Sequence, residues 1–250
     1  MNNVFLGVII PTYMERDNIV NLLENLQNTL SNSNIDYRIL VVDDNSPDGT
    51  ADVVKKYVKA GGRVSLLVRE GKRGLGSAIM DGFRIMIEDT RVTHLATMDA
   101  DGSHRPEDLV KMLMKVNEAD LVQGSRYVTG GSIIGWGFHR RLISRFANLI
   151  ARVFFGSDIR DYTSNFRIYS RELVGKLIGY ELDDSYDWVV ESMVLAKTLG
   201  FKVVEVPIVF INREKGRSKL GLLEIIKWFI NIIKIKSRVK RFVNRGGNGY

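Results

Sequence analysis

The 250-residue sequence contains no cysteine, which excludes disulfides, Cys-based zinc sites and thiol nucleophiles. Only three histidines occur, His94, His104 and His139, and their scattered spacing gives no zinc pattern. No Gly-x-Gly-x-x-Gly follows the first strand-like run, and Gly-x-x-x-x-Gly-Lys-Ser/Thr is missing throughout. Neither a dinucleotide fingerprint nor P-loop chemistry is therefore expected. The longest apolar stretch, Leu222 to Ile235, is interrupted by Glu224, Lys227, Asn231 and Lys234. It falls short of the roughly 20 apolar residues that a spanning helix needs. The chain opens on an apolar strand-like run without a basic leader, so no secretory signal is expected. No internal repeat or low-complexity tract is present.

What is there fills a real core, since 45% of the residues are hydrophobic. The net charge of +7 is uneven. From Arg213 onward eleven Lys/Arg face only Glu214 and Glu224, a local +9 that leaves −2 on the preceding 212 residues. A near-neutral body with a basic tail points to an anionic surface met by the tail, not to a wholly basic nucleic-acid-binding domain.

Strand-like and helix-like patterns alternate. Strands are expected at Val4–Ile10, Tyr37–Val42, Val64–Val68, His94–Met98 and Asp120–Gln123. Helices are expected at Arg16–Leu30, Asp48–Lys59, Gly76–Glu88 and Pro106–Val116. Short Val/Ile-rich runs separated by such helices imply βαβ units, an α/β fold and a mostly parallel sheet. Beyond Gly124, Tyr127–Gly137 reads as a glycine-rich loop and Arg140–Phe155 as a basic, apolar helix. Val203–Ile211 reads as a strand that Pro207 confines to an edge. Leu220–Phe242 reads as a helix, apolar first and then basic.

Three of the strand ends carry acid. The first runs into Pro11-Thr12-Tyr13-Met14-Glu15, the second into Asp43-Asp44-Asn45-Ser46-Pro47-Asp48-Gly49, and the fourth into Asp99-Ala100-Asp101-Gly102-Ser103. Open α/β sheets bind ligands at this carboxyl edge. Acidic groups there can accept hydrogen bonds from a base or a ribose. Paired carboxylates also suit Mg²⁺ or Mn²⁺, whose shell substrate phosphates complete. The competing roles are turn formation at Asp43-Asp44 and helix capping at Asp101 or Ser103.

These segments, with Gly71-Lys72-Arg73-Gly74-Leu75-Gly76, Gly124-Ser125-Arg126-Tyr127-Val128-x-Gly130-Gly131 and Asp161-Tyr162-Thr163-Ser164-Asn165-Phe166-Arg167, closely resemble the GT-A family 2 glycosyltransferases that make dolichyl-phosphate mannose. The similarity runs from about residue 4 to 220. It implies a GT-A catalytic domain over 1–219 and a C-terminal interfacial helix with a basic tail over 220–250. Two residues depart from the family pattern: Met14 stands where Asn is usual, and Asn165 where Gly is common. Asn165 is a substitution for which tolerance of positive φ offers a reason.

The resemblance implies roles for particular residues. Pro11, Tyr13, Glu15, Val42 and Asp44 would line the guanine and ribose pocket. Asp99, Ala100 and Asp101 would hold nucleotide and metal, Asp101 most directly, with Ser103 as a further ligand. Arg126, Arg140, Ser144 and Arg213 would surround the donor diphosphate and the lipid phosphate. Lys219 would join the donor site, and Glu191 would lie near the sugar. The implied reaction moves mannose from GDP-mannose to dolichyl (polyprenyl) phosphate with inversion, giving dolichyl β-D-mannosyl phosphate. The rivals are transfer of glucose from UDP-glucose and a non-catalytic sugar-nucleotide-binding subunit.

Elementary chemistry agrees with that assignment. A departing diphosphate needs charge stabilisation, which a divalent cation and arginine forks can provide. A sugar hydroxyl acceptor needs a general base, whereas a phosphate monoester with a second pKa of about 6 is already largely dianionic at pH 7. The tail combines Leu222, Ile225, Trp228, Phe229 and Ile232 with Lys234, Lys236, Arg238, Lys240, Arg241 and Arg245. That composition suits an interfacial helix on anionic lipid. The expectation is a peripheral or monotopic enzyme on the cytoplasmic face of a membrane, with a small membrane-protein partner as one route to anchoring and with no nucleic-acid partner.

Overall fold

A computed structural model describes residues 4–58, 62–156, 158–180, 187–212 and 222–244. The first half lays down β1 (Phe5–Thr12), α1 (Ile19–Asn32), β2 (Asp36–Asp43), α2 (Thr50–Val58), β3 (Val64–Val68), α3 (Leu75–Ile87), β4 (His94–Thr97), α4 (Pro106–Leu113) and β5 (Leu121–Ser125). The second half adds β6 (Ser132–Ile134), α5 (Phe138–Phe155), β7 (Arg167–Ser170), α6 (Arg171–Ile178), α7 (Trp188–Thr198), β8 (Val203–Pro207), β9 (Val209–Ile211) and α8 (Leu222–Asn244).

Seven strands form the main sheet in the order β3-β2-β1-β4-β7-β5-β8. All neighbours are parallel except at β7, which runs antiparallel to both β4 and β5. The strand order reverses between β1 and β4, and such a switch point opens a crevice at the carboxyl ends of the strands. In register, Thr12 lies opposite Asp43 and Ile9 opposite Thr97. The three acidic strand ends therefore meet at one edge, as their sequence positions imply.

Alternation along the strands builds three layers. Leu6, Val8 and Ile10 of β1, with Ile39 and Val41 of β2, pack under Leu22, Leu26, Val54, Leu109 and Met112. Ile9, Leu40 and Val42 face the opposite side, against Ile79, Phe83, Trp188 and Met193. At the closest crossing a Cβ on Gly82 would stand 2.7 Å from Ile9 Cγ2, so α3 can seat on β1 only with glycine there.

Pro207 ends β8 at the sheet edge, as expected, but the strand is interrupted at Ile208. The single strand expected over Val203–Ile211 is thus two, and β9 pairs with β6 in a separate two-stranded sheet. That sheet occupies part of the stretch expected to be loop.

The largest revision concerns the tail. Ile232, Ile235 and Val239 of α8 are fully buried in the core that α7 shares, and Phe242 packs edge-on against Tyr180 with ring centroids 4.9 Å apart. Among the described side chains, the apolar ones that were expected to meet a membrane face the protein instead. The basic side chains Lys234, Lys236, Lys240 and Arg241 are exposed. The expected boundary at 219/220, together with Arg213 and Lys219, lies outside the described residues.

Candidate active site

The loop after β1 and the loop before α3 close over Asp44. The Asp44 carboxylate accepts from the amides of Arg73 and Gly74 (3.1 and 3.0 Å) and pairs with Arg69 at 3.2 Å. It is nearly fully buried. Asp44 thus fixes the 71–76 loop at Arg73 and Gly74. Lys72 Nζ sits 4.4 Å from the centre of the Tyr13 ring, a cation–π contact between the 71–76 loop and the loop after β1. Glu15 Oε2 accepts from Asn18 at 2.8 Å, and its amide is held by Thr50. Pro11 is in register with Val42 at the strand ends. The Val42 side chain is buried in the core, so only its backbone can face a ligand.

Asp43 takes the turn-forming role. It is buried and accepts from Thr12 Oγ1 (2.7 Å), the Ser46 amide (2.8 Å) and Ser46 Oγ (2.6 Å). Met14 holds φ at +61°, a left-handed conformation that Asn adopts more readily than Met. Its amide is held by Ser46 Oγ at 3.0 Å.

Asp99 and Asp101 leave β4 on a turn in which Asp101 Oδ1 accepts from the Ser103 amide at 3.0 Å. Ala100 between them is buried against the core. His104 belongs to no zinc pattern, yet it organises this turn. The Asp99 amide donates to His104 Nδ1 at 3.1 Å, so a neutral ring carries its proton on Nε2, 3.8 Å from Asp99 Oδ2. The ring stacks on Phe166 at 4.6 Å and meets Phe210 edge-on at 5.6 Å. Burial holds its pKa below the usual histidine value, against the opposing pull of Asp99 and Asp101.

Asn165 is not at positive φ, so tolerance of a left-handed turn is not why it stands there. Its amide nitrogen donates to Asp99 Oδ1 at 3.1 Å, and that carboxylate acceptor fixes which way the amide points. Asn165 Oδ1 and Ser103 Oγ are left as buried oxygens without a hydrogen-bond partner. Buried oxygens left in this way need a ligand, an ion or water. Two carboxylates with Ser103 Oγ beside them form a hard-oxygen donor set that fits Mg²⁺ or Mn²⁺. Among the described residues no three His, Cys, Asp or Glu side chains gather as a complete cage. An ion here would therefore draw the rest of its shell from phosphate and water.

The cationic group stands beside this rim. Arg126 is buried and locked to Asp161, which takes Nε and Nη2 at 2.8 Å each, while Thr163 accepts from Nη2 at 2.7 Å. The guanidinium carbon lies about equally far from Phe210 (5.5 Å) and Trp136 (5.6 Å). Phe210 thereby links Arg126 to His104 and the Asp99 turn. Gly131 allows the backbone to cross here, because a Cβ would stand 2.7 Å from the Ser125 carbonyl oxygen. Arg140 of α5 lies 4.0 Å over the Trp136 ring and donates to Asn212 at 3.0 Å. Ser144, one turn on, shares a 2.7 Å hydrogen bond with Tyr127. Arg126, Arg140 and Ser144 are thus brought together.

A model of the family described as glycosyl transferase family 2 matches residues 7–178. The chain belongs to glycosyl transferase family 2. It is similar to a polyprenol monophosphomannose synthase of Mycolicibacterium smegmatis, 40% identical over 217 residues that cover 86% of this chain and 80% of the relative. It is also similar to an undecaprenyl-phosphate mannosyltransferase of Micrococcus luteus, 39% identical over 215 residues, 85% of this chain and 86% of that one. Among solved structures, mannosyl-3-phosphoglycerate synthase of Rubrobacter xylanophilus superposes with a TM-score of 0.69 at 16% identity, covering 99% of this chain and 76% of that one. Glucosyl-3-phosphoglycerate synthase of Mycobacterium tuberculosis, in complex with Mn²⁺, UDP-glucose and phosphoglyceric acid, gives 0.67 at 17% identity, covering 95% and 80%. The fold is the GT-A fold of these enzymes.

In this family 2 enzyme two other groupings act as supports. Glu205 of β8 accepts from the amides of Arg160 and Asp161 (2.7 and 2.9 Å), which seats the carboxylate that clamps Arg126. Glu191 lies fully buried in α7, where Arg238 of α8 grips it at 2.9 and 3.1 Å and Tyr180 donates to it at 2.7 Å. Burial and that hydrogen bond push the Tyr180 phenol up. Glu191 therefore ties α8 to α7, a structural task that Trp188-Val189-Val190-Glu191 does not reveal in sequence.

Proposed function

We propose that this family 2 glycosyl transferase moves mannose from GDP-mannose to a polyprenyl phosphate of the dolichyl type, giving the β-linked mannosyl phosphate. The observation that carries the proposal is the juxtaposition, at one sheet edge, of the Asp99/Asp101 turn and the Arg126–Arg140–Ser144 group. The printed names of relatives near 40% identity support the sugar and the acceptor class.

On this reading Tyr13, Glu15 and the loop fixed by Asp44 bind the nucleoside, with Pro11 and the Val42 backbone beneath it. Asp99, Asp101 and Ser103 would hold Mg²⁺ or Mn²⁺, which when bound supplies charge stabilisation to the departing diphosphate. Ala100 gives that turn its seat in the core. Arg126, clamped by Asp161, presents a fixed cation that needs no reorganisation when charge develops. Arg140, stiffened by Trp136, and Ser144 receive the acceptor phosphate. That phosphate is its own nucleophile: its oxygen attacks the anomeric carbon from the face opposite the diphosphate, and no side chain has to remove a proton. Arg213 and Lys219 are assigned to the donor side on motif position alone, whereas Glu191, buried and held by Arg238 and Tyr180, is given a structural role and no place beside the sugar. On this reading the enzyme works at the cytoplasmic face of a membrane as a peripheral protein.

Donor-resolved assays test the reading. With a polyprenyl phosphate and Mg²⁺ or Mn²⁺, transfer from GDP-mannose should exceed transfer from UDP-glucose at least about tenfold, a margin that a base pocket with unmatched polar groups readily provides. Robust turnover of UDP-glucose without turnover of GDP-mannose would contradict it.

A further inference from the structure

Among the described residues the Asn165 side chain makes one hydrogen bond, and its partner is Asp99. Nδ2 donates to Asp99 Oδ1 at 3.1 Å, across 66 residues of sequence. The oxygen of the same amide, Oδ1, is buried without a partner, on a residue only 5% exposed. The backbone here is held without help from that side chain. Thr97 Oγ1 donates to the Asn165 carbonyl oxygen at 2.6 Å, and the next residue, Phe166, stacks on His104. Packing of this segment therefore does not account for the amide.

Asp99 is held on one side and open on another. Its amide donates to His104 Nδ1 at 3.1 Å, Asn165 engages Oδ1, and His104 Nε2 stands 3.8 Å from Oδ2. The Asp99 side chain nevertheless remains 32% exposed. A carboxylate steadied from behind and open in front is what an ion ligand requires.

We propose that Asn165 is a positioning residue of the ion site. It rests on the metal reading given above and assigns this chain's Asn165 a part that glycine, common at this position in the family, cannot play. Nδ2 fixes the direction of the Asp99 carboxylate and favours its charged form, as an N–H donor to a carboxylate does. Oδ1 accepts a hydrogen from the water shell of the ion, since Mg²⁺ in particular keeps several of its waters. A second observation favours a hydrated cation over a sugar hydroxyl as the group that satisfies these oxygens. Ser103 Oγ, on the turn that carries Asp99 and Asp101, is also buried without a partner. A cation with its waters offers charge to one oxygen and hydrogens to the other, whereas one hydroxyl carries a single hydrogen.

The test compares the full-length wild type with Asn165→Ala and Asn165→Gly. The backbone is not at positive φ, so alanine fits without strain. The deleted oxygen has no partner to orphan, so melting temperatures should stay within a few degrees of wild type. Mn²⁺ affinity in the presence of GDP, read by calorimetry, should fall about tenfold or more in both variants, the usual cost of removing a hydrogen-bond partner from a ligand carboxylate. In transfer assays the Mn²⁺ concentration for half-maximal rate should rise by the same factor. At saturating Mn²⁺, kcat and the KM for GDP-mannose should return to within about threefold of wild type. Unchanged Mn²⁺ affinity in both variants overturns the proposal. So does a KM for GDP-mannose that stays raised at saturating Mn²⁺ without loss of ion affinity, because Asn165 would then touch the donor itself. Wild type that binds no Mn²⁺ with GDP or UDP also overturns it. Binding of Mn²⁺ with UDP but not GDP would instead refute the donor assigned above, and the same variants compared with UDP would still decide the role of Asn165.

Discussion

Replacing Asp101 by asparagine is expected to lower kcat/KM about a thousandfold and to leave the fold intact, the scale of loss expected when a key electrostatic contributor to a transition state is removed. The substitution isolates charge. Asp101 Oδ1 accepts the Ser103 amide at 3.0 Å, and the carbonyl of an asparagine can accept the same hydrogen bond. The turn after β4 should therefore persist, as should the seating of His104 against Phe166 and the Asp99 amide. What would be lost is one of the two hard anionic ligands proposed for the ion. The affinity for Mn²⁺ in the presence of GDP, read by calorimetry, should fall in parallel with activity while the thermal melt stays near wild type. Full transferase activity in Asp101→Asn would remove the metal role from this turn.

Asp161→Asn is expected to cost about 3–5 kcal/mol of stability at pH 7, because it leaves the Arg126 guanidinium buried against a neutral group. Both partners are almost wholly buried, so water cannot screen the loss. Asp161 also accepts the Arg126 amide at 3.0 Å and the Thr163 amide at 3.2 Å, and an asparagine NH₂ would turn a donor toward at least one of these donors. The pH dependence follows from the same pair. Burial raises the Asp161 pKa, but the charge and hydrogen bonds of Arg126 outweigh it and hold the carboxyl below its ordinary value. A carboxylate depressed in the folded state contributes its full stability above the unfolded pKa of about 3.9 and loses it as pH falls through the folded value. Urea melts of wild type and variant should therefore differ most above about pH 5 and converge toward pH 3 and below. A gap that stays constant with pH would show that the ion pair is not its source.

The sheet was legible because its strands are short Val/Ile-rich runs, and β3 matches its expected span residue for residue. The stretch from 156 to 202 was not. Strand β7 has four residues and enters between parallel neighbours the opposite way, so no βαβ spacing announces it. Helix α7 is buried on every side from Trp188 to Ala196, which erases the amphipathic period that reveals a surface helix.

At the site the same contrast holds. The acidic strand ends could be read from the sheet-edge rule, because β1, β2 and β4 bring them there directly. Long-range partners could not be read in the same way. Arg126 is distinguished by Asp161, 35 residues away, and Asp99 by Asn165, 66 residues away. The apolar tail was legible as amphipathic, yet composition does not say whether lipid or protein covers it. Glu191 and Arg238 join α8 to α7, and among the described side chains of α8 Ile232, Ile235 and Val239 are covered by protein.

The most direct measurement of the central claim is the anomeric configuration and oxygen connectivity of the product. GDP-mannose and a prenyl phosphate labelled with ¹⁸O on its phosphoryl oxygens should be converted and the product examined by NMR. Direct attack by the acceptor phosphate predicts a β-mannosyl phosphate whose C1–O–P bridging oxygen comes from the labelled acceptor. An α-linked product would contradict in-line displacement by the phosphate, and a bridge without label would contradict the phosphate as nucleophile.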